Sequence, residues 1–318
     1  MGSNAVFEHL VDATAIRRRS EDSIVHLMIR VRNGLLALLL SATAAPAFAQ
    51  VDLSGSWVPR DSRAGNELNA VDYSGIPIND EARTRALSYT PSQIAMLERQ
   101  CQGWPPYYLV IGPFGMKIWP EMEMVRGATL SWTIGAWEDR LPTKIWMDGR
   151  PHPSRNAPHE RGGFTTGRWE GNTLVAYTTH MKAGALRRNG TPSSDQATLT
   201  TRFIRHADLL TVLAVIEDPI YLTEPWMLTK NFQLDASPMS PVGPPCTPAF
   251  EGVEPDGQVP HFLPEKNPFV DELTESYHVP REATLGGAEM LYPEYRKKMK
   301  DNYVRPEKCT QACGGPPR

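Results

Sequence analysis

The chain has 318 residues, 33 of them basic and 36 acidic, with a formal net charge of −3 and 41% apolar side chains. That balance offers no basic face for nucleic acid. No apolar run approaches the roughly 18–20 residues of a membrane helix, so no stable membrane insertion is expected.

The N-terminal part reads as an export signal. Arg30 and Arg32 form a basic region, residues 35–40 are continuously apolar, and Ala47-Phe48-Ala49 is a small-x-small cleavage site. Met28 is the expected start, residues 1–49 are expected to be removed after Ala49, and the mature protein is expected in the periplasm or outside the cell. A buried N-terminal helix is the bland alternative and leaves the Ala-x-Ala end unexplained. Removal takes five basic and four acidic residues and leaves 28 and 32, a net charge of −4.

Residues 51–58 read as a short strand followed by a polar stretch. Thr90-Pro91-Ser92-Gln93 then gives a helix start with a proline at the first helical position, ahead of Ile94, Met96 and Leu97. The helix is expected to end near Cys101-Gln102-Gly103.

From residue 107 the chain reads as a series of strands. Residues 107–119 are rich in aromatic and β-branched types. Residues 122–126 and 130–138 flank Arg126-Gly127, and residues 144–147 lead into Asp148-Gly149-Arg150. Residues 165–169 and 173–180 flank Glu170-Gly171-Asn172, a tight hairpin signal. Residues 198–206 and 209–216 flank Ala207-Asp208, and residues 226–234 close the series. No alternation of strands with long helices appears. The expected fold is mainly β: an antiparallel up-and-down meander closing into a lipocalin-like barrel, with few short helices. Residues 209–216 are apolar at odd and even positions, so their outer face needs a cover. Residues 235–318 hold 14 of the 29 prolines and are expected to wrap, extended, over the barrel. Within them one helix is expected in residues 285–300, interrupted by Pro293. The domain expectation is therefore a removed segment 1–49, a barrel 50–234 and an extension 235–318.

Cys101, Cys246, Cys309 and Cys313 all fall in the mature part, an even number that suits disulfides and allows three pairings. The Cys309-x-x-x-Cys313 spacing suits neither a zinc half-site nor a redox Cys-x-x-Cys pair.

Asp148-Gly149-Arg150-Pro151-His152-Pro153, then Gly167-Arg168-Trp169-Glu170-Gly171-Asn172-Thr173-Leu174-Val175, then Glu217-Asp218-Pro219 with Pro225-Trp226, together resemble a family of secreted bacterial proteins without assigned activity. Gly286-Gly287-Ala288-Glu289 and Tyr292-Pro293-Glu294-Tyr295 are similar to it too. The resemblance spans most of the mature chain and implies a lipocalin-like fold. Where the family pattern has Gly-His-Ser before Gly-Arg-Trp, this chain has Gly163-Phe164-Thr165. A histidine acting at that place in relatives is missing here.

Several residues are candidates for chemistry. Pro151 and Pro153 stiffen the backbone around His152, which suits a general acid or base oriented by Asp148, with Arg150 stabilising negative charge. The competing reading is a turn in which Asp148 binds backbone N–H groups and Arg150 forms an ion pair. Glu217 ends the most apolar strand, where a carboxylate facing a cavity would act as a proton shuttle, yet Asp218-Pro219 is also an ordinary strand terminator. His180 sits at a strand end with the same two readings. Tyr107, Tyr108, Trp132, Trp137, Trp146, Tyr177 and Trp226 are the candidate ligand-binding aromatics, suited to a flat hydrophobic molecule or simply to filling a barrel.

The chain lacks Gly-x-Gly-x-x-Gly, a P-loop, Gly-x-Ser-x-Gly and His-Glu-x-x-His. No cofactor and no metal are therefore expected. The expected function is handling of a small aromatic, terpenoid or sterol-like molecule, as a cofactor-independent lyase, isomerase or hydratase. A non-catalytic carrier and a structural envelope protein with a self-filled barrel are the alternatives. The last of these predicts no internal cavity of roughly 300 Å³ or more.

Overall fold

The computed structural model describes residues 28, 30–32, 51–60, 71–89, 97–112, 114–125, 127–135, 142–236, 247–248 and 261–302. The chain divides into two units, Met1–Ala49 and Gln50–Arg318. In the first, residues 30–32 are helical and exposed. The second is mainly β, a closed nine-strand barrel of lipocalin-like form with a few short helices. No described helix is long and apolar enough to cross a membrane.

The wall is built from β1 (Gly55–Pro59), β2 (Met116–Met122), β3 (Thr129–Gly135), β4 (Thr143–Trp146), β5 (Phe164–Glu170) and β6 (Thr173–Thr179). A two-residue ribbon follows, β7 (Gly184–Ala185) with β8 (Pro192–Ser193), before β9 (Thr198–His206), β10 (Leu209–Glu217) and β11 (Trp226–Asp235). Around the barrel the order is β1, β11, β10, β9, β6, β5, β4, β3, β2. The side-chain period of two explains β10: Leu210, Val212, Ala214 and Ile216 are buried inside, while Leu209, Thr211, Leu213 and Val215 face out and stay half-buried. Burying each of the larger ones contributes about 1.5–3 kcal/mol.

All but one of the strand pairings are antiparallel. β4 and β5 run parallel over only two Cα pairs, Ile145 with Thr165 and Trp146 with Thr166. This corrects the expectation of an unbroken up-and-down meander. A parallel pair cannot be joined by a tight hairpin, so the chain must travel back to the starting end before β5 begins. Asp148-Gly149 turns it out of the wall (Gly149 φ 73°), and residues 147–163 make the return. Gly163 closes the return where a Cβ would lie 2.6 Å from the Thr179 carbonyl oxygen.

One mouth of the barrel carries a cap. Helix α1 (Asp80–Leu87) starts at Asn79, whose side-chain oxygen accepts from the Ala82 N–H at 2.9 Å, with Asp80 and Glu81 in its first turn. The expected helix at residues 90–100 lies partly outside the described residues, and residues 97–100 form a 3₁₀ turn.

Residues 107–111 are not strand as expected. Pro105 and Pro106 suit the start of a helix and Gly112 ends it, giving the short helix α2 (Tyr108–Ile111). It sits in the barrel mouth as a plug. The Lys230 ammonium on β11 donates to the Gly112 carbonyl, and the Tyr107 hydroxyl reaches the Ala185 carbonyl at 3.2 Å.

The described part of the C-terminal extension packs on α1. Asn267 Nδ2 donates to the Leu87 carbonyl, Phe262 N–H to Ser88, and Arg83 Nε to Leu285. Pro293 begins the last described helix, α3 (Pro293–Asn302), rather than interrupting one. Proline at a first helical position gives up an N–H that has no helical partner there anyway.

Candidate functional site

The crossover 147–163 runs over the outside of the wall. Thr165 and Thr178 line the interior, so Thr166 and Thr179, their neighbours on β5 and β6, face out. His152 meets both of those outer residues. Its Nδ1 lies 2.7 Å from Thr179 Oγ1 and its Nε2 lies 2.8 Å from Thr166 Oγ1. The ring is flanked by Phe164 and Tyr177, each 5.2 Å away between centroids. Burial, and then the charge of His180, holds the His152 imidazole below its usual pKa.

Thr179 Oγ1 also lies 2.7 Å from His180 Nδ1, and His180 Nε2 lies 2.8 Å from the Ser154 carbonyl. Donor–acceptor chemistry fixes the proton positions of the neutral form. A carbonyl only accepts, so His180 carries its proton on Nε2 and its Nδ1 accepts from the Thr179 hydroxyl. That hydroxyl then has no proton left for His152, whose Nδ1–H donates to it, and His152 Nε2 accepts from Thr166. His159, on the crossover, donates through Nδ1–H to the Met181 carbonyl at 3.0 Å, with its ring 5.0 Å from that of His180. His180 itself holds a left-handed backbone (φ 58°), uncommon outside glycine.

Asp148 does not orient His152, which corrects the catalytic arrangement read from the motif. Its carboxylate binds the Arg150 guanidinium at 2.8 and 2.5 Å and accepts from the Arg150 N–H. The guanidinium in turn lies 3.5 Å from the centre of the Trp146 ring. The Arg150 partnership holds Asp148 below the usual carboxylate range. The turn reading of this segment therefore describes its geometry.

The Glu217-Asp218 pair splits as alternation requires, but Glu217 is the exposed member and faces no cavity. Asp218 is buried and accepts from Ser194 N–H and Ser194 Oγ (both 2.7 Å), Ile220 N–H (3.0 Å) and Tyr221 N–H (3.3 Å). It ties the approach to β9 to the turn after β10.

The aromatic set is dispersed. Tyr107 and Tyr108 are buried in the plug, Tyr107 against Ser193 Oγ at 2.8 Å and Tyr108 stacked on Trp104 at 4.1 Å. Burial pushes the Tyr107 hydroxyl pKa up. Trp132 and Trp226 are buried in the core. Trp146 and Tyr177 are on the outer face, and Trp137 lies outside the described residues. A pocket inside the barrel, lined by Leu109, Ile134, Ile145, Thr165, Thr178 and Phe203 among others, holds about 20 Å³.

Thr166, Thr179, His159 and the Ser194–Asp218 tie were not singled out by the sequence reading. The threonines become partners only through strand register, for which the sequence carries no local signal. Among the described residues no cluster of His, Cys, Asp or Glu has the arrangement of a metal site, and no described cysteine is a free thiol. Cys246, Cys309 and Cys313 lie outside the described residues. No family model, no curated protein and no solved structure matches the chain.

Proposed function

We propose that this chain is an exported, non-catalytic barrel protein that acts through its outer surface, as a structural or assembly component of the cell envelope. The observation that carries this reading is the small pocket that the described residues leave inside the barrel. A pocket of about 20 Å³ has room for about one water, whereas pockets for drug-sized ligands run to several hundred cubic ångströms. The acid–base reading finds less support, because both His152 ring nitrogens are engaged by threonine hydroxyls. Asp148 and Arg150 are meanwhile committed to each other. Export is supported by the Ala47-Phe48-Ala49 site in the sequence. Oxidation of the cysteines in that compartment fits the absence of a free thiol at Cys101.

A second reading, in which the barrel carries or transforms a small hydrophobic molecule, rests on the plug. The pocket lies between Pro106 and Leu109 of the plug and the barrel wall, so withdrawing residues 104–112 would enlarge it. Exposing Tyr107, Tyr108 and Leu109 costs about 5–9 kcal/mol, which a ligand would have to offset.

The test is native mass spectrometry of the exported protein after incubation with mixed aromatic and terpenoid compounds. The expected spectrum is that of residues 50–318 alone. A retained compound would overturn the surface-acting reading, and a change in that compound's mass would establish an enzyme.

A further inference from the structure

We infer that residues 147–163 form a proton-released latch, seated on the barrel wall while His152 and His180 are neutral and lifting off when they take up protons. The inference goes beyond the surface-acting reading and does not depend on what that surface meets.

It stands on the hydrogen-bond chain. Two imidazole nitrogens, His152 Nδ1 and His180 Nδ1, each lie 2.7 Å from one hydroxyl oxygen, Thr179 Oγ1. In the neutral state that oxygen accepts one proton and donates the other, so every member is satisfied. A proton on His180 turns its Nδ1 into a donor and drives His152 into its other tautomer, with Nδ1 accepting from the Thr179 hydroxyl and Nε2–H donating to Thr166, so the chain is strained only when the second proton arrives. A proton on His152 turns Nε2 into a donor and forces the Thr166 hydroxyl to turn away. A proton on both sets two like charges around one oxygen. His152 and Ser154 of the crossover meet Thr166, Thr179 and His180 of the wall through these bonds, while its last part is held by Glu160 N–H to the His180 carbonyl and Lys182 N–H to the Glu160 carbonyl, both 2.9 Å.

The surrounding charges do not offset the added protons. On the crossover Asp148 is committed to Arg150, while Arg155 and Arg161 add positive charge. His159 places a third base 5.0 Å from His180. Glu160 offers His180 its backbone, its N–H donating to the His180 carbonyl at 2.9 Å. On β5 Arg168 and Glu170 pair with each other, and Arg202 of β9 joins the same carboxylate. Next to His180, Lys182 is another cation, and Thr200 of β9 faces Tyr177. Lifting the crossover removes the His152 ring from Phe164 and from the already exposed Tyr177, beside the two-pair parallel seam between β4 and β5.

The experiment is hydrogen–deuterium exchange of the mature chain at about pH 7.5 and about pH 5, corrected for intrinsic chemical exchange, with peptides covering 147–163 compared to peptides covering β10. Opening coupled to uptake of one proton shifts by a decade per pH unit once below the histidine range. Protection of 147–163 is therefore expected to fall about tenfold or more at the lower pH while β10 is unchanged. The variants His152→Gln and His180→Asn lack the titrating group, and asparagine tolerates the left-handed backbone at 180. Combined in one chain they are expected to remove the pH response, with β10 protection reporting that the barrel is still folded. Unchanged wild-type protection between the two pH values would overturn the latch. So would an equal fall in the double variant.

Discussion

Gly167 offers a direct probe of whether the barrel interior is filled. It lies on β5 opposite Ala176, which lines the pocket, and a Cβ built there would approach Ile145 Cγ2 to 2.6 Å, Met147 Sδ to 2.7 Å and Leu174 Cδ1 to 3.2 Å. Carbon–carbon contacts settle near roughly 3.5–4.0 Å, so all three neighbours must give way. The Met147 thioether bends easily. Ile145 is buried and β-branched, with a stiff χ1, and cannot. Overpacking of this kind costs about 1–3 kcal/mol, less about 0.4–1 kcal/mol gained because alanine restricts the unfolded chain. Gly167→Ala is thus expected to lose about 1–2 kcal/mol, a fall in Tm of roughly 2–6 °C for a domain of this size. Urea denaturation followed by tryptophan fluorescence measures it. A variant as stable as the parent would mean that the interior has slack, and the inference from a filled barrel to a surface-acting protein would fail with it.

The Glu217-Asp218 pair allows a paired comparison. Asp218→Ala strands four donors around a buried position and is expected to cost about 3 kcal/mol, whereas exposed Glu217→Ala should change stability by less than about 0.5 kcal/mol. Similar losses at both positions by chemical denaturation would contradict the placement of the pair. Tyr73 is buried, with a hydroxyl that has no hydrogen-bond partner among the described residues. Tyr73→Phe removes that unmet group and is expected to raise stability by about 1 kcal/mol, so a loss would reveal a partner.

Much of the wall was legible in the sequence because hairpins announce themselves twice, in alternation and in turn residues. β5 with β6, and β9 with β10, came within a residue or two of their observed bounds, and Gly171 in the first turn takes the left-handed backbone (φ 59°) that its position demands. What failed was decided at longer range. Helix α1 carries a readable start in Asn79-Asp80-Glu81 but little apolar stripe, since only Ala82 and Ala86 are buried. Residues 107–111 have the aromatic and β-branched content of a strand. Their fate was set by the two prolines before them and by the barrel mouth they fill, the second of which is a tertiary fact. Nothing local indicated that β4 would meet β5 in parallel, because the pairing rests on two residue pairs and a long return.

That parallel seam also explains why the sequence brings the Asp148–His152 segment together but does not show which residues it meets. The spacing of Asp148, Arg150 and His152 fixed that the three would be neighbours, and two of them are. Which side of the wall they occupy depends on how the chain returns to start β5, and the return runs outside. His152 therefore meets Thr166 and Thr179, while Trp132 and Trp226 are buried in the core. Acid–base chemistry on a hydrophobic molecule requires the imidazole and the apolar cavity to share one space. Here a hydrogen-bonded wall separates them, and the imidazole's two nitrogens are spent on holding the crossover to that wall. In the proposed latch the same residues take up protons without passing them to a substrate.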